Sequence, residues 1–311
     1  MNRSFRNLVR QTLLTAVVIG VPALGQATTN SLGLDSGLNL MSFGDLVSSN
    51  SDIQGRVAVG GMVDISSYSI NTSGLSGIGL TVGGDLNFAN GQIHGNTLVG
   101  GSLSTNQTGT FFGTVQVAQP SAALGINFAT EKQRLHNLSV SFDALANTGT
   151  PTDNYGTMVF NANNASLAVF DLNAADAGKN LQLSGVGANT TVIINVQGTN
   201  INFGNHGYTG FTAGHVLFNF AQATRVTFAS GVDASFLAPD ATFIASSGVI
   251  NGQVVANGWY GSTELHAGAF TGVTPVPEPQ TYAMMLVGLG VVTCFSRRRR
   301  QTPSRASLSI A

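Results

Sequence analysis

Histidines are the side chains here best suited to bind a metal ion or to move a proton near neutral pH. The sequence holds five of them: His94, His136, His206, His215 and His266. They are scattered, and no two stand at the His-x-x-x-His spacing that brings two ring nitrogens to one ion. This pattern favours structural or surface roles, so we predict no metal site and no cofactor.

Aspartates form the second group of chemically capable residues. Four recur beside glycine-rich turns: Asp45, Asp52, Asp64 and Asp85. A carboxylate in such a place either caps the turn or binds Ca²⁺. The dense Asp/Gly nonapeptides of calcium-binding β-rolls are missing, which favours turn capping.

A polysaccharide-cleaving enzyme would need acids, or an acid and a basic residue, clustered on one surface. Only Asp233 and Asp240 near Arg225 offer such a group in the sequence. Glycine-rich fragments such as Ser247-Gly248 match neither a nucleophile elbow nor a phosphate loop. We therefore predict no catalytic residues and no enzymatic activity.

Trp259 and Tyr260 are the remaining candidates, and Trp259 is the single tryptophan of the chain. An exposed aromatic pair at the edge of a β-structure could stack on a sugar or contact a partner chain. Packing in the core, or covering an open end of the fold, is the alternative.

A repeated segment defines the elements that position these residues. The segment Ile-Gln-Gly-Arg-Val-Ala-Val-Gly-Gly at 53–61 has a related copy at 93–101 and a third at 250–258. Each copy places four strand-prone residues between an Ile-x-Gly entry and a closing Gly-Gly or Asn-Gly, residue types that tolerate positive φ. Period-two apolar pairs in between predict short strands with one inward face. We predict a mainly β fold, a right-handed β-solenoid (β-helix), as one domain over 31–272.

One segment departs from the β pattern. Apolar residues at helical spacing occupy 127–146: Phe128, Leu135, Leu138, Phe142 and Leu145. They predict one long amphipathic helix packed along the solenoid, with Thr130 and Gln133 at the spacing of a capping box. A coiled-coil dimer is the alternative, although the apolar stripe is short for one.

Charge and cysteine content restrict the partners. Between residues 28 and 276, thirteen acidic residues outnumber five basic ones, a net charge of −8. Such a domain should avoid nucleic acid. The single cysteine, Cys294, excludes an internal disulfide.

Both termini have targeting features. Residues 1–27 combine three arginines, an apolar run and a small-residue cleavage site, which predicts a signal peptide. At the other end, a 273–280 linker contains Pro277-Glu278-Pro279, followed by an apolar 281–296 segment and a basic tail at 297–311 with Arg297, Arg298, Arg299 and Arg300. We predict a transmembrane segment at 281–296 with the arginines in the cytoplasm. This C-terminal region is either a sorting signal that is removed after export or an ordinary membrane anchor that is kept.

Three resemblances extend these inferences. Phe43-Gly44-Asp45-Leu46 with residues 51–61, 169–176 and 191–198 resembles the choice-of-anchor A domain, a family found with different surface anchors. Residues 234–268 are similar to the coils of ice-binding β-solenoids, although no flat Thr-x-Thr ladder is visible. Pro277-Glu278-Pro279, the apolar run and the arginines resemble a PEP-CTERM sorting signal.

The sorting resemblance implies a Gram-negative host, transient residence in the inner membrane, and an exosortase-type processing enzyme as partner. We therefore expect a non-enzymatic, exported protein of the cell surface or extracellular matrix, associated with exopolysaccharide or biofilm and adhesive or structural in role. Exopolysaccharide or matrix proteins are the expected binding partners. A carbohydrate-binding or carbohydrate-acting β-solenoid is the alternative.

Overall fold

The computed structural model describes residues 31–106 and 108–273. These residues form a solenoid of parallel strands, with one helix on its side. The first eleven strands are β1 Leu38–Ser42, β2 Leu46–Ile53, β3 Arg56–Val59, β4 Val63–Ile70, β5 Ile78–Val82, β6 Leu86–Ala89, β7 Gly91–His94, β8 Asn96–Val99, β9 Leu103–Thr105, β10 Gly109–Phe112 and β11 Val115–Gln116.

A 3₁₀ turn at Ser121–Leu124 leads into helix α1, Phe128–Asp143. The later strands are β12 Thr152–Asn154, β13 Thr157–Asn161, β14 Leu167–Asn173, β15 Asn180–Ser184, β16 Thr191–Gln197, β17 Asn200–Gly204, β18 Tyr208–Thr209, β19 Val216–Asn219, β20 Arg225–Val232, β21 Ser235–Asn251, β22 Val254–Tyr260 and β23 Glu264–His266. The mainly β class with one helix is confirmed. The right-handed coil stays a prediction.

Nineteen of the described strands line three faces, and β12, β13, β15 and β18 form a separate four-stranded sheet. The first face runs in the order β14, β16, β19, β21, β22, β1, β3, β5, β8 and β11. The second face runs β17, β20, β21, β22, β2, β4, β6 and β9. The third face includes β20, β21, β23, β2, β4, β7 and β10. Long strands such as β21 turn corners and contribute to all three faces.

The chain does not build these coils in sequence order. It starts in the middle with β1, proceeds to β11 at one end, and then uses the segment containing α1 to reach β12–β14 at the other end. From there it returns to the middle, where β22 pairs with both β21 and β1. We call the junction of β22 and β23 with β1 and β2 the seam. It joins residues more than 200 positions apart.

Buried amide side chains form hydrogen bonds across the seam. Asn39 donates to the carbonyl oxygens of Gly252 (2.6 Å) and His266 (2.9 Å), while its own oxygen accepts from the Gly55 N–H. Gln253 donates to the Leu38 carbonyl at 2.6 Å. Both amides are buried, so each satisfies backbone groups that the discontinuity of the chain would otherwise leave unpaired.

Helix α1 packs on the first face. Leu135 and Phe142 are fully buried there against Ile193, Leu217 and Leu237. The helix is shorter than the predicted 127–146 segment, and its cap differs from the expected one. Asn127 is the N-cap, and its side chain accepts from the Thr130 N–H at 3.1 Å.

The Gly-Gly corners have a different cause from the one the sequence suggested. Gly60, Gly83 and Gly100 do not have positive φ; instead, a Cβ on Gly83 would collide with the carbonyl oxygen of Gly60 in the preceding coil, and one on Gly100 with that of Gly83. Corner backbones of successive coils therefore approach more closely than any side chain permits.

Among the described residues, no helix has the length and apolar character needed to cross a membrane. The predicted signal peptide at 1–27, the transmembrane segment at 281–296 and the tail at 297–311 lie outside the described residues, as does most of the 273–280 linker.

Candidate functional site

Trp259 and Tyr260 point in opposite directions, because successive side chains of β22 alternate between the two sides of the sheet. The Trp259 side chain is fully buried and stacks on Phe243, with ring centroids 5.6 Å apart. It belongs to the core, where it cannot contact an external ligand. Tyr260 alone of the pair reaches the outer surface of the second face.

The Tyr260 ring lies along the sheet above Gly258. A Cβ at Gly258 would stand 3.2 Å from a ring carbon of Tyr260, so the missing side chain gives the ring its place. Partial burial, followed by the nearby Asp45 carboxylate, raises the pKa of the Tyr260 phenol. The hydroxyl therefore stays protonated and can donate a hydrogen bond at neutral pH.

A shallow groove of about 420 Å³ lies beside Tyr260 at the seam. Its polar lining includes Ser48, Ser49, Ser66 and Ser262 with the Asp64 carboxylate. The groove therefore offers one aromatic ring, several hydroxyl groups and one acceptor-only carboxylate. We call this surface the Tyr260 groove.

The Tyr260 groove belongs to a continuous outward row on the second face. Cross-strand register places in this row Asn202, Thr227, Ile244, Tyr260, Val47, Asp64, Asn87 and Ser104. Polar and apolar side chains alternate irregularly along this row, so it is not a threonine ladder. Helix α1 lies on the first face and leaves the second face uncovered.

The acids proposed as a possible hydrolase group do not meet. Asp240 lies at the corner between the first and second faces, where its carboxylate contacts His136 (2.6 Å) and Lys132 (3.5 Å) of α1. Asp233 lies at a different corner and bonds to Asn251. These residues fix the helix and a turn, and they provide no pair for acid–base chemistry.

Two of the turn aspartates act across coils. Asp45 accepts from the Met62 N–H at 2.9 Å, and Asp85 accepts from the Ser102 N–H at 2.7 Å. The Ser102 backbone and hydroxyl hydrogen bonds lower the pKa of Asp85. Each carboxylate thus caps the corner of the following coil, as a turn-capping role requires.

The third face brings together a cluster that the sequence analysis missed. Asp52 and Glu264 are neighbours in register across the seam, and Glu264 contacts His266 at 2.8 Å. Burial first, and then Glu264, raises the pKa of Asp52. The i, i+2 spacing of Glu264 and His266 predicts that they share one face of a strand. Nothing in the sequence indicates that Asp52 lies next to them.

The other histidines are dispersed. His94 stacks on Phe112, His206 lies beside Tyr208, and burial lowers the pKa of His206. In the described parts of the chain, no three His, Cys, Asp or Glu side chains are grouped so as to hold a metal ion.

A second cavity, of about 540 Å³, opens at the start of α1 on the first face. Its one basic side chain, Arg56, is paired with Asp35 at 2.7 Å and donates to the Ser76 carbonyl. Its charge is therefore already neutralised.

The solenoid matches a known protein family. Residues 31–267 match the family model described as "Putative Ice-binding-like adhesive domain", over most of the chain. The chain belongs to this ice-binding-like adhesive family. Membership of the choice-of-anchor A family stays an expectation from the sequence.

Residues 275–300 match the PEP-CTERM protein-sorting motif, which confirms the sorting signal around Pro277-Glu278-Pro279 and Arg297–Arg300. Such signals are processed by exosortases, so an exosortase partner is consistent with the match. An adhesive domain joined to this signal fits an exported, cell-surface protein.

No curated protein matches the chain. Among solved structures, an ice-binding protein from the Antarctic ascomycete Antarctomyces psychrotrophicus is similar at 14% identity with a TM-score of 0.37. The alignment covers 80% of this chain and 100% of that one.

Proposed function

We propose that this domain is a non-enzymatic adhesin that binds extracellular polysaccharide through the Tyr260 groove, within the surface matrix of its host. The observation that carries the proposal is the groove itself: an aromatic ring beside hydroxyls and a carboxylate, on the face that α1 leaves uncovered.

The chemistry of the groove fits a polyhydroxylated ligand. An aromatic ring packs against the C–H face of a sugar. Serine hydroxyls can donate hydrogen bonds to the sugar hydroxyl groups and accept hydrogen bonds from them, and the carboxylate can accept them. A net charge of −8 over residues 28–276 favours neutral polysaccharides over anionic ones. Family membership and the sorting signal support adhesion outside the cell.

A glycan array with the protein recovered from its host tests this proposal. We expect Tyr260→Ala to weaken the strongest glycan interaction about tenfold, since aromatic stacking contributes about 0.5–1.5 kcal/mol beyond buried area. Tyr155→Ala is the matched control, because Tyr155 is fully exposed on a distant turn. Equal effects of the two substitutions, or an array without any binding, would contradict the proposal.

A carbohydrate-acting enzyme is the second candidate function, and the Asp52–Glu264 pair favours it. Glycoside hydrolysis commonly uses two carboxyl groups, one of them with a raised pKa. A reducing-sugar assay on the glycans that bind separates the two functions. We expect no new reducing ends; their appearance, with loss in Asp52→Asn, would establish an enzyme.

A further inference from the structure

The two ends of the solenoid differ. At the β14 end, the segment before β12 covers the outer edge: the Thr148 N–H donates to the Val169 carbonyl, and the Val169 N–H donates to the Thr148 hydroxyl, both at 2.9 Å. Strand β12 pairs antiparallel with β13 beside it. This end is capped.

The β9–β11 end has no equivalent cover within the described residues. Strand β10 pairs with β7 on one side, and no described strand pairs with its other side. The inward side chains of this last coil, Leu103, Phe111 and Val115, are only half-buried, whereas Leu86, Ile93 and Thr97, their register partners one coil earlier, are fully buried. The apolar core therefore ends in contact with solvent.

The same end contains a ring stack with one free face. His94 and Phe112 are register partners in adjacent coils, and their rings stack at 4.5 Å with planes 6° apart. Because the stack runs from coil to coil, the second face of Phe112 is directed away from the solenoid. Phe112 is 55% exposed, and Val117 nearby is 43% exposed.

Edge strands normally carry charges or prolines that prevent pairing with another sheet. Here the sequence contains no Asp, Glu, Lys or Arg between Asp85 and Glu131, and no proline within β9, β10 or β11. The remaining surface carries the net charge of −8, so two copies repel each other least when they approach through this end.

We propose that the β9–β11 end is a self-association surface, through which two copies of this chain join end to end. A two-fold axis would place the outer edge of β10 antiparallel to the same edge of the partner, and an edge related by such an axis is its own complement. The contact covers the half-buried core residues and the free face of Phe112.

The exit of the sorting tail leaves this surface accessible. The last described residue, Val273, donates to the Thr191 hydroxyl at 2.8 Å, at the start of β16. On the first face β16 is the second strand and β11 the tenth, a separation of about 38 Å at ~4.8 Å per strand. A domain attached through its tail therefore presents the self-association surface at the far end.

Sedimentation velocity on the protein recovered from its host tests the proposal. Thr110→Lys places a charge on the outward side of β10, and Gln182→Lys places the same charge on an exposed position of β15, a strand paired on both sides. We expect wild type and Gln182→Lys to dimerise, and Thr110→Lys to raise the dimer dissociation constant at least about tenfold.

Cysteine variants give a readout if Thr110→Lys fails to fold. Thr110→Cys should form a disulfide-linked dimer rapidly under mild oxidation, while Gln182→Cys should form no disulfide-linked dimer. A wild-type protein that stays monomeric at high concentration would overturn the proposal, as would a dimer that forms equally well with Thr110→Lys. Dimers linked equally by both cysteines would also overturn it.

Discussion

Asn219 joins helix α1 to the first face through buried hydrogen bonds. Its side chain accepts from the Ser139 hydroxyl at 2.6 Å and donates to the Ser139 carbonyl at 2.9 Å and to the Asn195 side chain at 2.8 Å. Asn195 in turn donates to the Phe142 carbonyl at 3.0 Å. All of these side chains are fully buried, so the two asparagines join two coils to the helix without any contact with solvent.

The substitution Asn219→Ala removes three hydrogen bonds, each contributing about 1 kcal/mol net. It also leaves the Ser139 hydroxyl buried without its partner, which costs a further 1–3 kcal/mol or so. We expect a loss of roughly 4–6 kcal/mol in the free energy of unfolding. For a domain of this size, that loss lowers Tm by about 10 °C.

Thermal and urea unfolding of the protein recovered from its host measure this loss. Asn87→Ala is the matched control, because Asn87 lies exposed on β6, and we expect it to change stability by less than about 0.5 kcal/mol. A double-mutant cycle with Ser139→Ala should give a coupling energy of at least about 1 kcal/mol. A loss below about 1 kcal/mol for Asn219→Ala, or strictly additive effects in the cycle, would refute the argument.

Three further predictions concern the corners, the seam and the tail. Gly83→Ala should destabilise the fold by about 1–3 kcal/mol in chemical denaturation, because its Cβ meets the backbone of the preceding coil, whereas Gly231→Ala has room and should be neutral; equal effects would exclude close stacking as the cause. The folded-state pKa of Asp52 is raised above 3.8, so the folded protein holds the proton more tightly and loses stability as pH rises through that region. Asp52→Asn should therefore raise Tm at pH 7 and leave it unchanged at pH 3, and a Tm below wild type at pH 7 would contradict this sign. Glu278→Ala should block removal of the sorting signal, as intact-mass measurement of the host protein would show; a wild-type chain still ending at Ala311 would mean that the tail is a permanent anchor.

Local patterns in the sequence determined the class of the fold. Period-two apolar pairs indicate strands, a run with spacings of three, four and seven indicates the helix, and Gly-Gly marks the corners, because each signal depends only on neighbours along the chain. The sorting motif is equally local, since an extended Pro-Glu-Pro, an apolar run and arginines are recognised in order. These features needed no knowledge of which segments meet.

The tertiary structure decided everything that depends on register between distant segments. Alternation shows that only one of Trp259 and Tyr260 can face inward, but the pairing of β22 with β2 and β21 decides that Trp259 does. The hydrogen bonds of Asn39 across the seam and the Asp52–Glu264 pair exist because β1 and β2 lie beside the last strands in the middle of the solenoid. The contacts of Asn219 with the helix depend on which face α1 packs against. The energy of stacking depends on which coils are adjacent in space. The sequence of a strand does not show whether its neighbour is the next coil along the chain or a segment from the other end of the domain.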